Sequence, residues 1–455
     1  MSNSRTDAVE RNRMSWLERR FHLAEQGTTW RTEVLAGVTT FLTMAYIIFV
    51  QPAVLSACGM DFGAVLVATC LASALATLLM AFLANYPIAV APAMGHNFFF
   101  AYTVVIGMGV PWSVALGAVA LAGIIFILTA GFGLRERLIM AIPDSLKHAI
   151  AVGIGLLIAM IGLQWAGVIV AASGTLVALG DLGSPPVLLA LAGLMVMAIL
   201  FALDVRGALL WGILLTTAGG LISGLVRYQG LVSRPPSLAP TFLQLDIPGA
   251  FKPDMVAVIF VFFFLALFDT VGTLVGVAEQ AGLMRDGTLP RARQALLTDA
   301  IGTVAGATLG TSTVTAYIES ATGVAAGGRT GLANLVTASL FLLSLFFYPL
   351  VKMIGGGYPV TEHVTLYPVI APALILVGTM MMKGVRLIPW DDMTEAIPAF
   401  LTMIMMPLAV SITEGIAFGF IAYALLKLVA GRGRQVHWFI YLFAVLFLVR
   451  YIALR

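Results

Sequence analysis

Apolar residues recur along this chain in runs of about 20 between Val34 and Val449, each long enough to cross a hydrocarbon core about 30 Å thick as a helix. Backbone groups inside lipid must bond within their own segment, so helices are the default. Charged or Pro/Gly-rich breaks delimit seven runs in the first half: 34–55, 63–83, 88–108, 113–132, 148–170, 186–203 and 208–226. A polar stretch, 227–254, carries Pro235, Pro236, Pro240, Pro248 and Pro253 and divides the chain near its middle. Seven more runs follow: 255–277, 293–309, 313–325, 331–350, 365–382, 397–410 and 415–428. The pattern predicts an all-α membrane protein of about 14 transmembrane segments. It divides into a tail (1–33), a first repeat (34–226), a linker (227–254), a second repeat (255–430) and a tail (431–455). That last tail holds one more apolar stretch, 438–449, expected as an interfacial or gate-packed helix because it is short for a span.

Seven spans per half place the two halves in opposite orientations, the inverted-repeat design of many secondary transporters. Two faint matches support the 7+7 reading: Phe100-Ala101-Tyr102-Thr103 with Thr315-Ala316-Tyr317-Ile318, and Gly207 and Gly212 with Gly415 and Gly419. Segments 3 and 10 are also poor lipid helices. Segment 3 opens on Tyr86-Pro87 and Ala91-Pro92-Ala93-Met94-Gly95-His96-Asn97. Segment 10 opens on Leu309-Gly310-Thr311-Ser312-Thr313 and ends near Gly323, Gly327 and Gly328. Interrupted segments at matching positions of two halves point to a midplane binding site, because irregular backbone survives at that depth only where protein or water surrounds it. The competing account is ordinary kinked packing.

Composition agrees. Sixty per cent of residues are hydrophobic and 10% charged, with a mean hydropathy of +1.01, against about 25% charged in soluble domains. The net charge of +3 says little, but placement says more: with the N-terminus in the cytoplasm, 19 of the 25 Lys and Arg fall inside and four outside, leaving Arg450 and Arg455 unassigned. Met1 to Arg31 carries six arginines ahead of any apolar core and does not resemble a cleavable signal peptide. Cys58 and Cys70 lie in or beside apolar runs and supply neither a disulfide framework nor a metal site. No Walker loop, HExxH, paired-cysteine zinc pattern or dinucleotide fingerprint is present, so the chain is not expected to be an enzyme, and transport energy must come from an ion gradient.

Two carboxylates lie inside apolar spans: Asp269, after Phe262-Phe263-Phe264-Leu265-Ala266-Leu267-Phe268, and Glu319, in Thr315-Ala316-Tyr317-Ile318-Glu319-Ser320. A charge at the bilayer centre costs several kcal/mol and marks a pathway or site by default. Desolvation disfavours its ionised form, which suits a group that binds and releases a proton. His96 and Asn97, at the start of a broken helix, could hydrogen-bond a planar heterocycle, and Phe98 and Phe99 could stack on one. Asp299, Glu279, Glu395 and Glu414 lie nearer span ends, where capping or solvated roles are expected.

Several stretches, in order, resemble one family. They are Gly27-Thr28-Thr29-Trp30-Arg31-Thr32-Glu33 leading to 39–47, Ala84-Asn85-Tyr86-Pro87, and Phe268 to Thr273. Glu319-Ser320 with 323–331, Ala371-Pro372-Ala373-Leu374, and Glu395 to Thr402 complete the set. The chain is similar to AzgA-type purine permeases, a branch of the nucleobase and cation symporters with the uracil-permease fold. The resemblance implies a core domain of segments 1–4 and 8–11, a gate domain of segments 5–7 and 12–14, and a substrate held between half-helices of segments 3 and 10. It places Glu319, Asp269, Asn97, His96, Phe98, Thr273 and Ser320 at the substrate, with proton coupling on Asp269 and Glu319. The expected function is proton-coupled import of a purine base across the inner membrane, with the N-terminus cytoplasmic. No cofactor, metal or nucleic acid is implied, and a homodimer is left open. The chain departs from the family pattern at His96, Phe98, Ala266 and Gln51, of which the first three are expected to border the pocket. Another small planar nitrogen compound, or a channel or anion exchanger on the same fold, are the alternatives.

Overall fold

The computed structural model describes residues 16–131, 142–172, 174–284, 289–361 and 364–453. Among them, eight helices are long and apolar enough to cross a membrane: Trp30–Ser56, Phe62–Ala84, Trp112–Thr129, Asp144–Trp165, Pro185–Ala202, Pro253–Gln280, Gly331–Gly355 and Ile412–Val429. They are segments 1, 2, 4, 5, 6, 8, 11 and 14. Segments 7 (Ala208–Ile222), 12 (Ala371–Met381) and 13 (Met393–Leu408) are shorter helices, and segment 9 (Ala292–Leu309) is an 18-residue helix that carries Arg293, Gln294 and Asp299 and is less apolar. The run expected at 148–170 starts earlier and stops at Trp165, because Gly167 turns the chain with a φ of +74°.

Among the described residues six short strands interrupt the helices: β1 (Val90–Pro92), β2 (Ile169–Ala172), β3 (Leu176–Leu179), β4 (Val314–Ala316), β5 (Tyr358–Thr361) and β6 (Val364–Leu366). β2–β3 and β5–β6 are hairpins, so residues at the start of the expected run 365–382 belong to a strand. β1 and β4 come from segments 3 and 10, more than 200 residues apart, and pair antiparallel with Val90 opposite Ala316 and Pro92 opposite Val314.

Extended backbone in an apolar interior leaves N–H and C=O groups that must find partners. Each half solves this identically. On segment 2 the Thr77 hydroxyl donates to the Val90 carbonyl and accepts from the Val90 N–H, both at 3.0 Å. On segment 9 the Thr303 hydroxyl donates to the Val314 carbonyl at 3.0 Å and accepts from the Val314 N–H at 3.3 Å. Segments 2 and 9 hold the same place in the two repeats. Replacing Thr303 or Thr77 with valine, nearly the same shape, orphans two backbone groups and is expected to cost about 1–3 kcal/mol per orphaned group. Thermal melting of the purified variants checks this, with Thr303→Ser retaining near wild-type stability.

The glycine match between segments 7 and 14 has a packing basis. A Cβ at Gly212 would overlap the Met197 side chain on segment 6, and one at Gly419 would overlap the Thr402 hydroxyl on segment 13. Small residues let the helices of each pair approach closely. The other match fails: Phe100–Thr103 lies in the π-wound stretch Phe99–Gly107, whereas Thr315 and Ala316 lie in β4, so the two tetrapeptides are not structurally equivalent.

Segments 1, 2, 4, 8, 9 and 11 pack mainly on one another, as do 5, 12, 13 and 14, with 6 against 12 and 7 against 6. Glu33, fully buried in the first turn of segment 1, accepts from the N–H groups of Arg329 (2.8 Å) and Ala333 (3.2 Å), capping the N-terminus of segment 11. The 438–449 stretch is a 16-residue helix, Trp438–Ala453, packed on segment 14.

Candidate functional site

The β1–β4 pair leaves two half-helices pointing away from it. In segment 3 a helix begins at Met94 and continues to Gly107. In segment 10 the helix Ser320–Ala325 begins directly after Glu319. Ala93 N–H donates to the Thr313 carbonyl and Tyr317 N–H to the Ala89 carbonyl, both at 2.9 Å, extending the crossing by one bond at each end. The Tyr317 hydroxyl donates to the Pro92 carbonyl at 2.5 Å.

Two cavities meet at this crossing. The smaller, about 130 Å³, is lined by Tyr46, Ala93, Met94, Thr315, Tyr317 and Glu319, with Val377 and Met380 of segment 12 opposite. The larger, about 380 Å³, is lined by His96, by Lys147, His148 and Ile154 of segment 5, and by Leu265 and Gly272 of segment 8. Gly95, Asp269, Thr273, Ile318 and Met381 border both. Lys147 and His148 are in the first two turns of segment 5 and Met381 ends segment 12, so the larger cavity runs from the crossing toward that end of the molecule.

The two carboxylates are held differently. Glu319 Oε1 accepts from the Tyr46 hydroxyl at 2.8 Å, at the break between helices Trp30–Met44 and Ile47–Ser56. Asp269 Oδ2 accepts from the Thr315 hydroxyl at 3.1 Å, and Asp269 is accessible from the cavity. None of the ion pairs among the described residues involves either acid. Each carboxylate therefore keeps accepting capacity toward the cavity. Removing the Tyr46 hydroxyl should weaken substrate binding by roughly ten- to a hundredfold, since a hydrogen bond to a charged group is worth about 1.5–3 kcal/mol. Substrate affinity of Tyr46→Phe checks this.

The remaining candidates are distributed unevenly. Thr273 lines both cavities. His96 borders the larger one, is 2% exposed, and neither ring nitrogen has a hydrogen-bond partner. Asn97 is fully buried behind the crossing, where its Oδ1 accepts from the Ser312 hydroxyl and its amide nitrogen has no partner. Ser320 uses its hydroxyl oxygen to accept from Ala89 N–H at 3.0 Å and lines neither cavity. Phe98 also lies outside both walls, stacked on Tyr102 with ring centroids 5.8 Å apart and tilted against Trp165. Of the expected pocket-bordering departures, His96 reaches a cavity, whereas Phe98 and the buried Ala266 do not. Gln51 donates to Thr311 Oγ1 at 2.8 Å, bracing the approach to β4.

Sequence reasoning passed over Tyr46, Thr315 and Tyr317, and misplaced Asp299. Asp299 is fully buried and accepts from the Thr270 hydroxyl at 2.6 Å and Ala316 N–H at 2.9 Å. It ties β4 to segment 8 one residue from Asp269. Glu395, expected at a boundary, accepts from Tyr423 (3.1 Å) and pairs with the buried Lys427 at 2.6 Å.

Two inverted helical repeats that cross broken segments around a cavity define a membrane transport protein. The transmembrane domain of a cyanobacterium bicarbonate transporter, BicA, shares this fold, with a TM-score of 0.63 at 16% identity over 84% of this chain and 97% of that one. SLC26A9 gives 0.60 at 14% identity, over 88% of this chain and 65% of that one. The chain belongs to the Permease family, whose model matches residues 31–418. It is 52% identical to a putative permease of Methanocaldococcus jannaschii over 97% of this chain and 99% of that protein. It is 47% identical to the adenine permease AdeP of Escherichia coli over 95% of each. To the guanine/hypoxanthine permease PbuG of Bacillus subtilis it is 48% identical, over 96% of this chain and 99% of that protein. The resemblance to AzgA-type permeases is thereby established, and the relatives are transporters, not enzymes.

Proposed function

We propose that this chain imports purine nucleobases with a proton. One observation carries the reading: two carboxylates with no cationic partner among the described residues, Glu319 and Asp269, border one cavity where segments 3 and 10 cross. The chain has long adenine and guanine/hypoxanthine permease relatives. A purine presents ring N–H groups, which an ionised carboxylate accepts strongly. Glu319, oriented by Tyr46, is the acceptor for the base, Thr273 and Thr315 are polar neighbours of it, and Asp269 carries the proton. Asn97 and Ser320 position the crossing from behind.

The domain reading follows the packing. Segments 1–4 and 8–11 form a core that carries both acids, and segments 5–7 and 12–14 form a gate that presents Ile154, Val377 and Met381 to the base. The N-terminus and the mouth beside Lys147 and His148 are cytoplasmic, in the inner membrane, which makes this an inward-open form. His96 favours a second reading, a different planar nitrogen heterocycle, because its unpartnered imidazole stands at the cavity wall. Counter-flow of radiolabelled adenine, guanine and hypoxanthine in proteoliposomes, with and without a pH gradient, tests both. Exchange of at least one base, accelerated by an acidic outside, is expected. Absence of exchange for all three purines, with exchange of another heterocycle, overturns the purine reading.

A further inference from the structure

We propose that helix Trp438–Ala453 is a fifteenth membrane crossing, with its Ala453 end on the opposite side of the membrane from the Gly433–Gln435 turn that precedes it. The register along segment 14 carries the inference. Near its start, the Tyr441 hydroxyl donates to the Gly433 carbonyl at 3.0 Å, and a Cβ on Gly433 would lie 3.6 Å from the Leu428 Cα, at the last turn of segment 14. Near its end, the Tyr451 hydroxyl donates to the Glu414 carboxylate in the first turn of segment 14, and the Tyr451 ring meets Phe418 edge-on at 6.2 Å. The two helices are therefore antiparallel neighbours over their whole length. Sixteen residues extend about 24 Å and the 18 of segment 14 about 27 Å at 1.5 Å per residue. Whatever thickness segment 14 crosses, this helix crosses nearly all of it.

Its composition excludes the interfacial alternative. A helix lying in the membrane surface needs a polar face, usually rich in Lys and Arg, turned to water. Between Trp438 and Ala453 the only charged residue is Arg450, three positions from the end, and all others are apolar or aromatic. The inner side packs on segment 8, where Phe443 stacks on Phe260 with centroids 3.9 Å apart. The outer side is not polar either: Leu442, Val445, Leu446, Val449 and Ile452 are 43–78% exposed. A helix apolar on every side belongs at hydrocarbon depth. Charge placement tolerates the crossing, since moving Arg450 and Arg455 to the far side leaves six basic residues there against nineteen on the near side.

Accessible cysteines test the topology. In a transport-competent background with Cys58 and Cys70 replaced by alanine, single cysteines are placed by Ile452→Cys, by Ser237→Cys in the linker and by Arg434→Cys in the turn. They are then labelled with a membrane-impermeant maleimide on spheroplasts and on inverted vesicles. Ile452→Cys is expected to label from the same side as Ser237→Cys, with Arg434→Cys labelling from the other. Labelling of Ile452→Cys from the Arg434 side overturns the crossing. An epitope tag added after Arg455 in the otherwise unaltered chain decides the matter should lipid shield position 452. Protease removes the tag from the Ser237 side if the helix crosses, and from the Arg434 side if it does not.

Discussion

Glu319→Gln is expected to reduce purine uptake at least a hundredfold and to weaken binding to a similar degree. Glutamine keeps the shape and still accepts the Tyr46 hydroxyl through its carbonyl oxygen. What changes is the second oxygen, which becomes an NH₂ donor. A ring N–H that met an ionised acceptor now meets another donor, so a charge-assisted bond worth about 1.5–3 kcal/mol is lost and a repulsion is added. Tenfold in affinity is about 1.4 kcal/mol, so the two together exceed a hundredfold. The fold should tolerate the change, because the β1–β4 pair is held by Thr77, Thr303, Asp299 and Ser320, not by the Glu319 side chain. Binding by the purified variant, alongside its melting temperature, checks both halves. Near wild-type affinity would show that Glu319 is structural.

The spans were legible because hydropathy over about 20 residues is a local property. Segment 2, expected at 63–83, is found at Phe62–Ala84, and segment 6, expected at 186–203, at Pro185–Ala202. The breaks in segments 3 and 10 were legible for the same reason, since Pro92 and the Gly310-Thr311-Ser312-Thr313 run disfavour helix locally. What the sequence hid depends on pairing across the two halves. Tyr46 stands in an unremarkable apolar run, and only the approach of segment 10, 273 residues away, makes it the partner of Glu319. Asp299 looked like an end-of-span residue because segment 9 starts at Ala292, eight positions into the helix. Its full burial arises because β4 folds back across it and takes its carboxylate for the Ala316 N–H. Phe98 illustrates the converse. Adjacent to the helix break it looked like a stacking platform, but the helix turns it away from the cavity toward Tyr102 and Trp165.

Asp269→Asn is expected to separate transport from its energy source: the base still binds and exchanges across the membrane, but no longer accumulates. Glu319 must stay ionised to accept from the base, and Tyr46 already donates to it. Among the described residues Asp269 has a single hydrogen-bond partner, Thr315 at 3.1 Å, and it borders both the site and the larger cavity, where a proton can leave. Asparagine preserves that tie through its carbonyl oxygen but cannot exchange a proton. With one proton per base, a gradient of one pH unit supports up to about tenfold accumulation, equivalent to about 1.4 kcal/mol. In proteoliposomes under that gradient the wild-type protein should approach this ratio. The Asp269→Asn protein should stop at equal concentrations while its counter-flow rate stays within a few-fold of wild type. The wall of the larger cavity also carries His96, whose ring nitrogens have no hydrogen-bond partner among the described residues. Full accumulation by Asp269→Asn would refute the assignment to Asp269. Loss of accumulation in His96→Leu, with exchange intact, would then transfer the proton to the histidine.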